Sequence, residues 1–307
     1  MRVFVTGASG WIGSAVVPEL IAAGHQVVGL ARSDDSAVAL TAAGAQVRRG
    51  SLDDLDVLRD AAADSDGVIH LAFKHDLAFS GNYQAAAEAD RHAVETIAAA
   101  LDGSDRPLVI AGGVGGSAAG PLLTEEDGFD LEPGTTRQGP LLRLTTAEFT
   151  ISLADRGIRS TVLRFAPTVH GEGDKGFVAT LVAIAREKGV AGYIGDGSNR
   201  WPAVHRLDAA RLARLALEHA PARAILHAVA DEGVATRDIA AAIGRNLGVP
   251  VASVAPQDAG THFGWLAGFY AMDLPASSTL TQQRLGWQPT QPGLIDDIDK
   301  GHYFQRP

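Results

Sequence analysis

The sequence of 307 residues contains no cysteine, which rules out disulfides, thiolate nucleophiles and cysteine-ligated zinc or iron–sulfur centres. A chain without cysteine fits a reducing compartment, and a cytoplasmic location is the expectation. Positive charge is scarce as well: 26 Lys and Arg face 36 Asp and Glu, a formal net charge of −10. Nucleic acid is therefore not an expected partner, because binding it relies on clustered cations. None of the ten histidines stands in HExxH-type spacing, so no metal site is expected. The longest uncharged stretch, Pro107 to Thr124, is crowded with glycine and broken by Pro121, although Gly112 and Gly116 have GxxxG spacing. It is short of the roughly 20 apolar residues that a membrane span needs and reads as a buried strand running into a loop. No repeat or low-complexity tract is visible. Met1 leads straight into a strand, so no leader segment is expected.

What is present starts at once. Val3, Phe4 and Val5 form an apolar run of the kind a buried parallel strand uses. TGASGWIG follows at Thr6–Gly13, and then an apolar helix marked by Ile12, Val16, Leu20 and Ala23. A strand, a glycine turn and a helix in that order suit a dinucleotide pyrophosphate. Glycine permits the tight turn and close backbone approach, and the helix N-terminus offers free N–H donors. Candidate cofactor contacts here are Gly7, Ser9, Gly10, Trp11, Ile12 and Gly13.

Strands are expected at 2–6, 26–31, 45–49, 67–71, 107–111 and 159–165, each separated by room for a crossover helix. Six such strands with right-handed crossovers make an α/β fold with a doubly wound parallel sheet. Pro18 falls inside the first helix and predicts a slight bend. The second strand ends in Arg32-Ser33, about 20 residues past the glycine turn, where an adenosine ribose is contacted. An arginine there suits a 2′-phosphate, so NADP(H) is expected over NAD(H); the alternative is a surface arginine at a strand end. Ser51 and Leu52 follow the third strand, where the chain passes the adenine, and Asp53 or Asp54 is placed to cap the next helix.

After the fourth strand, Leu71, Ala72 and Phe73 are expected along the cofactor. Lys74 and His75 then lie at the carboxyl edge, where open α/β sheets bind ligands. His70 reads as a packed strand-end histidine; His75 reads equally as a catalytic group or a packed one. Beyond about residue 167 the rhythm changes. Gly171–Gly176 is a charged turn, an apolar helix runs from Phe177 to about Arg186, and Ile225–Val229 can return to the sheet as a seventh strand. The last fifty residues hold the aromatic group His262, Phe263, Trp265, Phe269 and Tyr270, which either roofs an apolar pocket or packs a helix.

Together these features resemble an extended short-chain dehydrogenase/reductase, of the NAD(P)-dependent epimerase/dehydratase-like type, over nearly the whole chain. The residues that carry the likeness are TGASGWIG at 6–13, Ala31-Arg32-Ser33, Leu163-Arg164-Phe165-Ala166-Pro167, Val204-His205-Arg206-Leu207-Asp208 and Arg284-Leu285-Gly286-Trp287-Gln288-Pro289. The resemblance implies a Rossmann-type sheet of seven parallel strands within residues 1–166, with the returning strand at 225–229. It also implies a nicotinamide cofactor touched by Pro167 and Val169, and an interleaved substrate-binding lid over 167–307. A homodimer through helices at about 82–101 and 138–155 is the family expectation.

One departure from the family stands out. Its members use a tyrosine, and a lysine four residues later, on the helix after the fifth strand, preceded by a serine. Here no tyrosine occurs between Tyr83 and Tyr193 and no lysine between Lys74 and Lys175. Aligning Ala147-Glu148 with the family's Ala-Glu puts Pro140 and Leu144 at those two positions and Gly112 at the serine. Replacement groups are His170, which follows the sixth strand, Arg143 on the altered helix, and His75. His170 acts as acid or base, or caps loop backbone. Arg143 stabilises an oxyanion, or is a solvated helix arginine. Lys74, Gly113, Arg200, Trp201, His205, His262 and Trp265 are candidate substrate contacts. The expected activity is NADPH-dependent reduction of a ketone, imine or activated alkene in a mid-sized apolar metabolite. A non-redox isomerase, dehydratase or cyclase is the alternative on the same scaffold, and a catalytically silent NADP(H)-sensing protein is the third reading.

Overall fold

The computed structural model describes residues 1–115, 122–129 and 136–305. The loop expected over Gly116–Pro121 lies outside them. Four strand–helix alternations and a fifth strand open the chain: β1 (Arg2–Thr6), α1 (Gly13–Ala22), β2 (Gln26–Ala31), α2 (Asp34–Ala42), β3 (Gln46–Arg49), α3 (Leu55–Ala63), β4 (Gly67–His70), a short α4 (His75–Phe79), α5 (Tyr83–Leu101) and β5 (Pro107–Gly113). Then come α6 (Arg143–Ser152), flanked by a 3₁₀ turn on each side, and β6 (Arg159–Phe165). The second half comprises β7 (Thr168–His170), α7 (Phe177–Lys188), β8 (Ala191–Ile194), β9 (Arg200–His205), α8 (Arg206–His219), β10 (Ala224–Ala228), β11 (Asp231–Ala235), α9 (Thr236–Leu247) and β12 (Val251–Val254). Four short helices close it: α10 (Ala259–Phe263), α11 (Ala267–Tyr270), α12 (Thr279–Leu285) and α13 (Leu294–Asp299).

Seven strands form one sheet in the order β10-β6-β5-β4-β1-β2-β3, and every pair in it is parallel. The strands are apolar on both faces because helices cover both, the condition that all-parallel sheets require. Val3, Val5, Val109 and Leu163 pack with α1 and α8 on one side; Phe4, Val68, Leu108 and Val162 pack with α3, α5 and α6 on the other. Thus α8, well past residue 167, covers the main sheet, and Trp287 from the terminal RLGWQP segment joins the same cluster, fully buried. Chain order reverses between β1 and β4, and in such sheets the crevice for ligands opens at the carboxyl ends beside that point. A separate cluster around Trp201, Ile239, Phe263 and Tyr270 fills the second half, beneath the sheets β11-β9-β7 and β12-β8.

Two local expectations change. Asp54 stands at the N-cap of α3 but makes no side-chain cap; its Oδ2 turns back to accept from the Ser51 amide at 2.7 Å and hydroxyl at 2.9 Å. Asp53 binds the Lys74 ammonium through both oxygens at 2.6 Å. The carboxylates therefore tie loops at the crevice edge rather than capping the helix. Pro18 lies inside α1 as expected.

Candidate active site

The glycine turn is built by close approach. Gly7 has φ +65°, and a Cβ there would lie 2.7 Å from the Ala72 amide nitrogen. A Cβ on Gly13 would run into the Gly7 carbonyl oxygen, which itself accepts from Gly10 at 2.9 Å. Side chains are thus excluded at Gly7 and Gly13, while Ser9 and Gly10 stay exposed. No side chain caps α1 at Ile12; the Ser14 and Ala15 amides donate to the Gly10 and Ile12 carbonyls, and the Gly13 amide makes no such bond and keeps its donor for a ligand. The turn fits a dinucleotide. Trp11 locks it to the second half of the chain: its indole N–H donates to the Val169 carbonyl at 2.7 Å, and the Arg206 guanidinium lies 4.3 Å from its ring centre. Pro167 and Val169 thereby reach the same edge as Arg32, Ser33, Ser51, Leu52, Leu71, Ala72 and Phe73, all of which follow carboxyl ends of sheet strands. The Arg32 side chain is 70% exposed, with one weak partner, Asp76 at 3.5 Å. Ser33 caps α2 by accepting from Ser36.

Beside the turn, four elements converge on Arg143. The Ala72 amide donates to Thr6 Oγ1 (3.2 Å), which lies 2.9 Å from His70 Nδ1; His70 Nε2 meets Asp90 Oδ1 at 3.2 Å. The other oxygen of Asp90 faces Arg143 Nε at 3.8 Å. Thr6, His70 and Asp90 are almost wholly buried. Burial works against an ionised Asp90, but the Arg143 charge and the His70 hydrogen bond outweigh it and hold the carboxyl below its ordinary value. Arg143 in turn donates from Nη2 to the Ala111 carbonyl at 2.7 Å and stands 4.4 Å over the Phe73 ring. It is the first residue of α6, a helix with neither tyrosine nor lysine. With Nη2 and Nε directed inward, Nη1 makes no hydrogen bond to a described residue. The cation is thus held by an ion pair to Asp90 and a hydrogen bond to the Ala111 carbonyl.

An aromatic wall runs on from there. Phe73 packs edge-on against His75 (5.1 Å between centres), His75 stacks on Phe79 (5.6 Å), and Phe79 meets Trp265 at 5.2 Å. Trp265 continues to Phe177 at 5.8 Å. Phe79 and Trp265 are 61% and 55% exposed, yet they come from opposite halves of the chain and touch. Burial, together with the Arg143 charge, pushes the His75 imidazole below its ordinary value, so the ring is neutral near pH 7.

Several expected site residues are engaged or enclosed by other parts of the fold. His170 is completely buried: Nδ1 pairs with Asp297 at 2.9 Å, and the ring packs edge-on to His205 at 5.4 Å. It follows β6 as expected, but Asp297 of α13 engages its Nδ1 and its Nε2 is buried without a hydrogen-bond partner. Trp201 is likewise fully enclosed, donating to the Phe269 carbonyl and packed against Tyr270; its size and apolar surface are used in the core. His205 caps α8 by accepting from the Leu207 amide at 3.3 Å. Arg200 pairs with Asp273 at 2.9 Å, and Lys74 is held by Asp53. His262 packs edge-on to Phe263 beside Gly192. Gly113, at the exposed end of β5, has open space where a side chain would be. Asp90 is among the residues that sequence reasoning missed, with Phe79 of the aromatic wall. Mid-helix and seven residues past Tyr83, Asp90 carries no motif; a lone acid on the apolar face of an alanine-rich helix was its one signal.

A family model described as NAD dependent epimerase/dehydratase family matches residues 3–227. An uncharacterized protein of Schizosaccharomyces pombe is 46% identical over 99% of this chain and 100% of its own length. A 4-hydroxy-2-methyl-3-oxo-4-farnesyl-3,4-dihydroquinoline-1-oxide ketoreductase of Stigmatella aurantiaca is 29% identical over 61% of this chain and 56% of its own. Among solved structures, the UDP-glucose 4-epimerase of Thermotoga maritima with UDP-glucose superposes with a TM-score of 0.76 at 20% identity, covering 99% of this chain and 98% of that one. At that identity the likeness concerns the fold. Among the described residues no helix is long and apolar enough to cross a membrane, and no cluster of metal-ligating side chains occurs.

Proposed function

The chain belongs to the NAD dependent epimerase/dehydratase family, and from that premise we propose that it is an NADPH-dependent reductase of a carbonyl, imine or activated alkene in an apolar, ring-bearing metabolite. The observation that carries this reading is Arg143, a cation fixed by Asp90 and the Ala111 carbonyl. A donor held in place before reaction stabilises negative charge as it develops on oxygen or nitrogen, at no cost of reorganisation. A reduced nicotinamide supplies the hydride when bound. The protein's tasks are to orient the acceptor, exclude water and manage charge and proton.

The wall of Phe73, His75, Phe79 and Trp265 supports an apolar, flat-faced substrate, since such rings gain most by stacking on a similar surface. The quinoline-derived ketone in the name of the Stigmatella relative is of that kind. Arg32 supports NADPH: its exposed, weakly paired guanidinium can turn to a phosphate, because an ion pair between two exposed side chains contributes little. A cytoplasmic homodimer joined through α5 and α6 belongs to the same reading; a monomer by light scattering removes that part.

The test is NADPH oxidation with phenanthrenequinone, aryl ketones, cyclic imines and cyclic enones, with 4-deuterated NADPH to follow the hydride. Label in the product supports the reductase, and Arg143→Ala then lowers kcat by about 10²-fold or more. Conversion without label points to the non-redox alternative. Binding of NADPH with no turnover of any probe overturns the reading. Arg32→Ala is expected to weaken NADPH about tenfold while leaving NADH binding unchanged.

A further inference from the structure

Reduction of a carbonyl needs a proton as well as a hydride, and the groups around Arg143 differ in their ability to supply one. Arg143 cannot give up its proton. His75 is neutral near pH 7, the weaker acid form of an imidazole. His170 is fully buried and paired with Asp297. Of the four tyrosines, Tyr270 is fully buried and donates to the Thr236 carbonyl at 3.1 Å, and Tyr303 Oη is engaged by Gly171 and Asp174. Tyr193 is in β8 of the second half. Tyr83 remains.

Tyr83 is the first residue of α5, and Asp90 comes seven residues later. Seven residues are two helical turns, so both side chains share a face. The residues between them on that face, Ala86 and Ala87, are small and buried. The Tyr83 ring packs 5.6 Å from Phe73, the same ring that carries the Arg143 guanidinium. Its hydroxyl makes no hydrogen bond to a described residue, nor is it among the sealed, unpartnered polar atoms. A phenol thus stands beside the fixed cation, reachable and unspent.

We propose that Tyr83 is the catalytic proton donor of this site, delivered from α5 to the place where α6 offers only Arg143. The inference rests on the reductase reading. As the substrate carbon receives hydride from reduced nicotinamide, the C=O π pair moves to oxygen. That oxygen takes the proton of Tyr83 Oη, and the resulting phenolate takes one from water. Arg143 faces both the new alkoxide and the phenolate, so the charge stays beside the cation as the proton moves. Burial raises the Tyr83 phenol above its ordinary value; Arg143 opposes this and Asp90 adds to it. The group therefore holds its proton throughout the neutral range.

Tyr83→Phe keeps the ring on Phe73 and removes the proton. With a carbonyl probe that the wild type reduces, single-turnover hydride transfer is expected to slow by about 10²-fold or more, with NADPH affinity and melting temperature essentially unchanged. Tyr83→His should restore part of the rate, rising as pH falls through the histidine range near about 6; a purely structural tyrosine would not create that limb. An alkaline absorbance titration of wild type minus Tyr83→Phe should show one phenol ionising above about 10. A Tyr83→Phe rate within about threefold of wild type overturns the donor while the reductase stands. A wild type that binds NADPH and reduces no probe overturns both. If Tyr83→Phe loses NADPH binding or folds poorly, Tyr83→His decides: the acid limb supports the donor, and its absence overturns it.

Discussion

Two buried His–Asp pairs sit in different halves of this protein, and they differ in what surrounds their carboxylates. His70–Asp90 and His170–Asp297 are closed at 3.2 Å and 2.9 Å, and all four side chains are at most 2% exposed. Each carboxyl is held below its ordinary value against the cost of burial, Asp90 by Arg143 and His70, Asp297 chiefly by the hydrogen bond from His170. What differs is the second oxygen of each carboxylate. In Asp90 it faces Arg143 Nε at 3.8 Å. In Asp297 it faces Lys300 at 3.7 Å, one turn along the same segment, while His302 approaches the oxygen that His170 binds, at 3.6 Å. One pair lies against the Arg143 cation and the other staples the C-terminal segment to β7. Burial and pairing alone do not separate the two roles.

The strongest way to test that contrast is Asp297→Asn. Removing one partner of a buried pair typically costs about 3–5 kcal/mol, so the melting temperature should drop sharply while NADPH affinity of the folded fraction changes little. The sign with pH follows. A carboxyl depressed in the fold adds stability above its unfolded value and loses it as pH falls through the folded one. Wild-type stability should therefore decline in acid below about pH 4, and Asp297→Asn should show a smaller decline. A variant as stable as wild type would remove the staple.

Asp90→Asn should reverse the pattern. Loss of the counter-charge frees Arg143 to shift, so kcat is expected to fall about tenfold, with KM less affected and a smaller loss of stability. If stability falls as far as in Asp297→Asn and kcat does not change, the two pairs are equivalent and the positioning role fails. A smaller effect belongs to the aromatic contact between the halves. Phe79→Ala or Trp265→Ala should raise KM for apolar probes several-fold, each losing about 1 kcal/mol of stacking, with kcat retained.

The smallest effect sharpens the assignment of Arg143. Burial and the Arg143 charge both lower the His75 titration, while Asp90 raises it. By proton NMR, Arg143→Met should move His75 upward toward about 6.5 and Asp90→Asn should move it further down. Opposite signs from two substitutions are hard to obtain unless all three groups share one field.

The strand–turn–helix start, the alternation of strands and crossovers and the returning seventh strand were legible because each is local: glycine at a fixed spacing, apolar runs of strand length, and room for a helix between them. Gly7 and Gly13 announce themselves because only a residue without Cβ fits so close to Ala72 and the Gly7 carbonyl. Arg143 was also visible, though not its anchoring. His170 and Trp201 misled for one shared reason. Their residue types suit ligands and cores equally well, and what encloses them comes from Asp297 and Phe269, 127 and 68 residues away. Asp90 was silent for the converse reason, since its partners His70 and Arg143 come from a strand and a helix that only the sheet order brings to it.

The sequence by itself determined the doubly wound scaffold and the glycine cradle, because backbone sterics and side-chain periodicity act between near neighbours. Only the tertiary structure decided which polar groups are used up and which stay available. It buried His170, tied Lys74 to Asp53, and turned Asp90 toward Arg143. Whether a side chain serves packing or chemistry depends on what approaches it across the fold, and that is set by strand order rather than by any residue's neighbours in the chain.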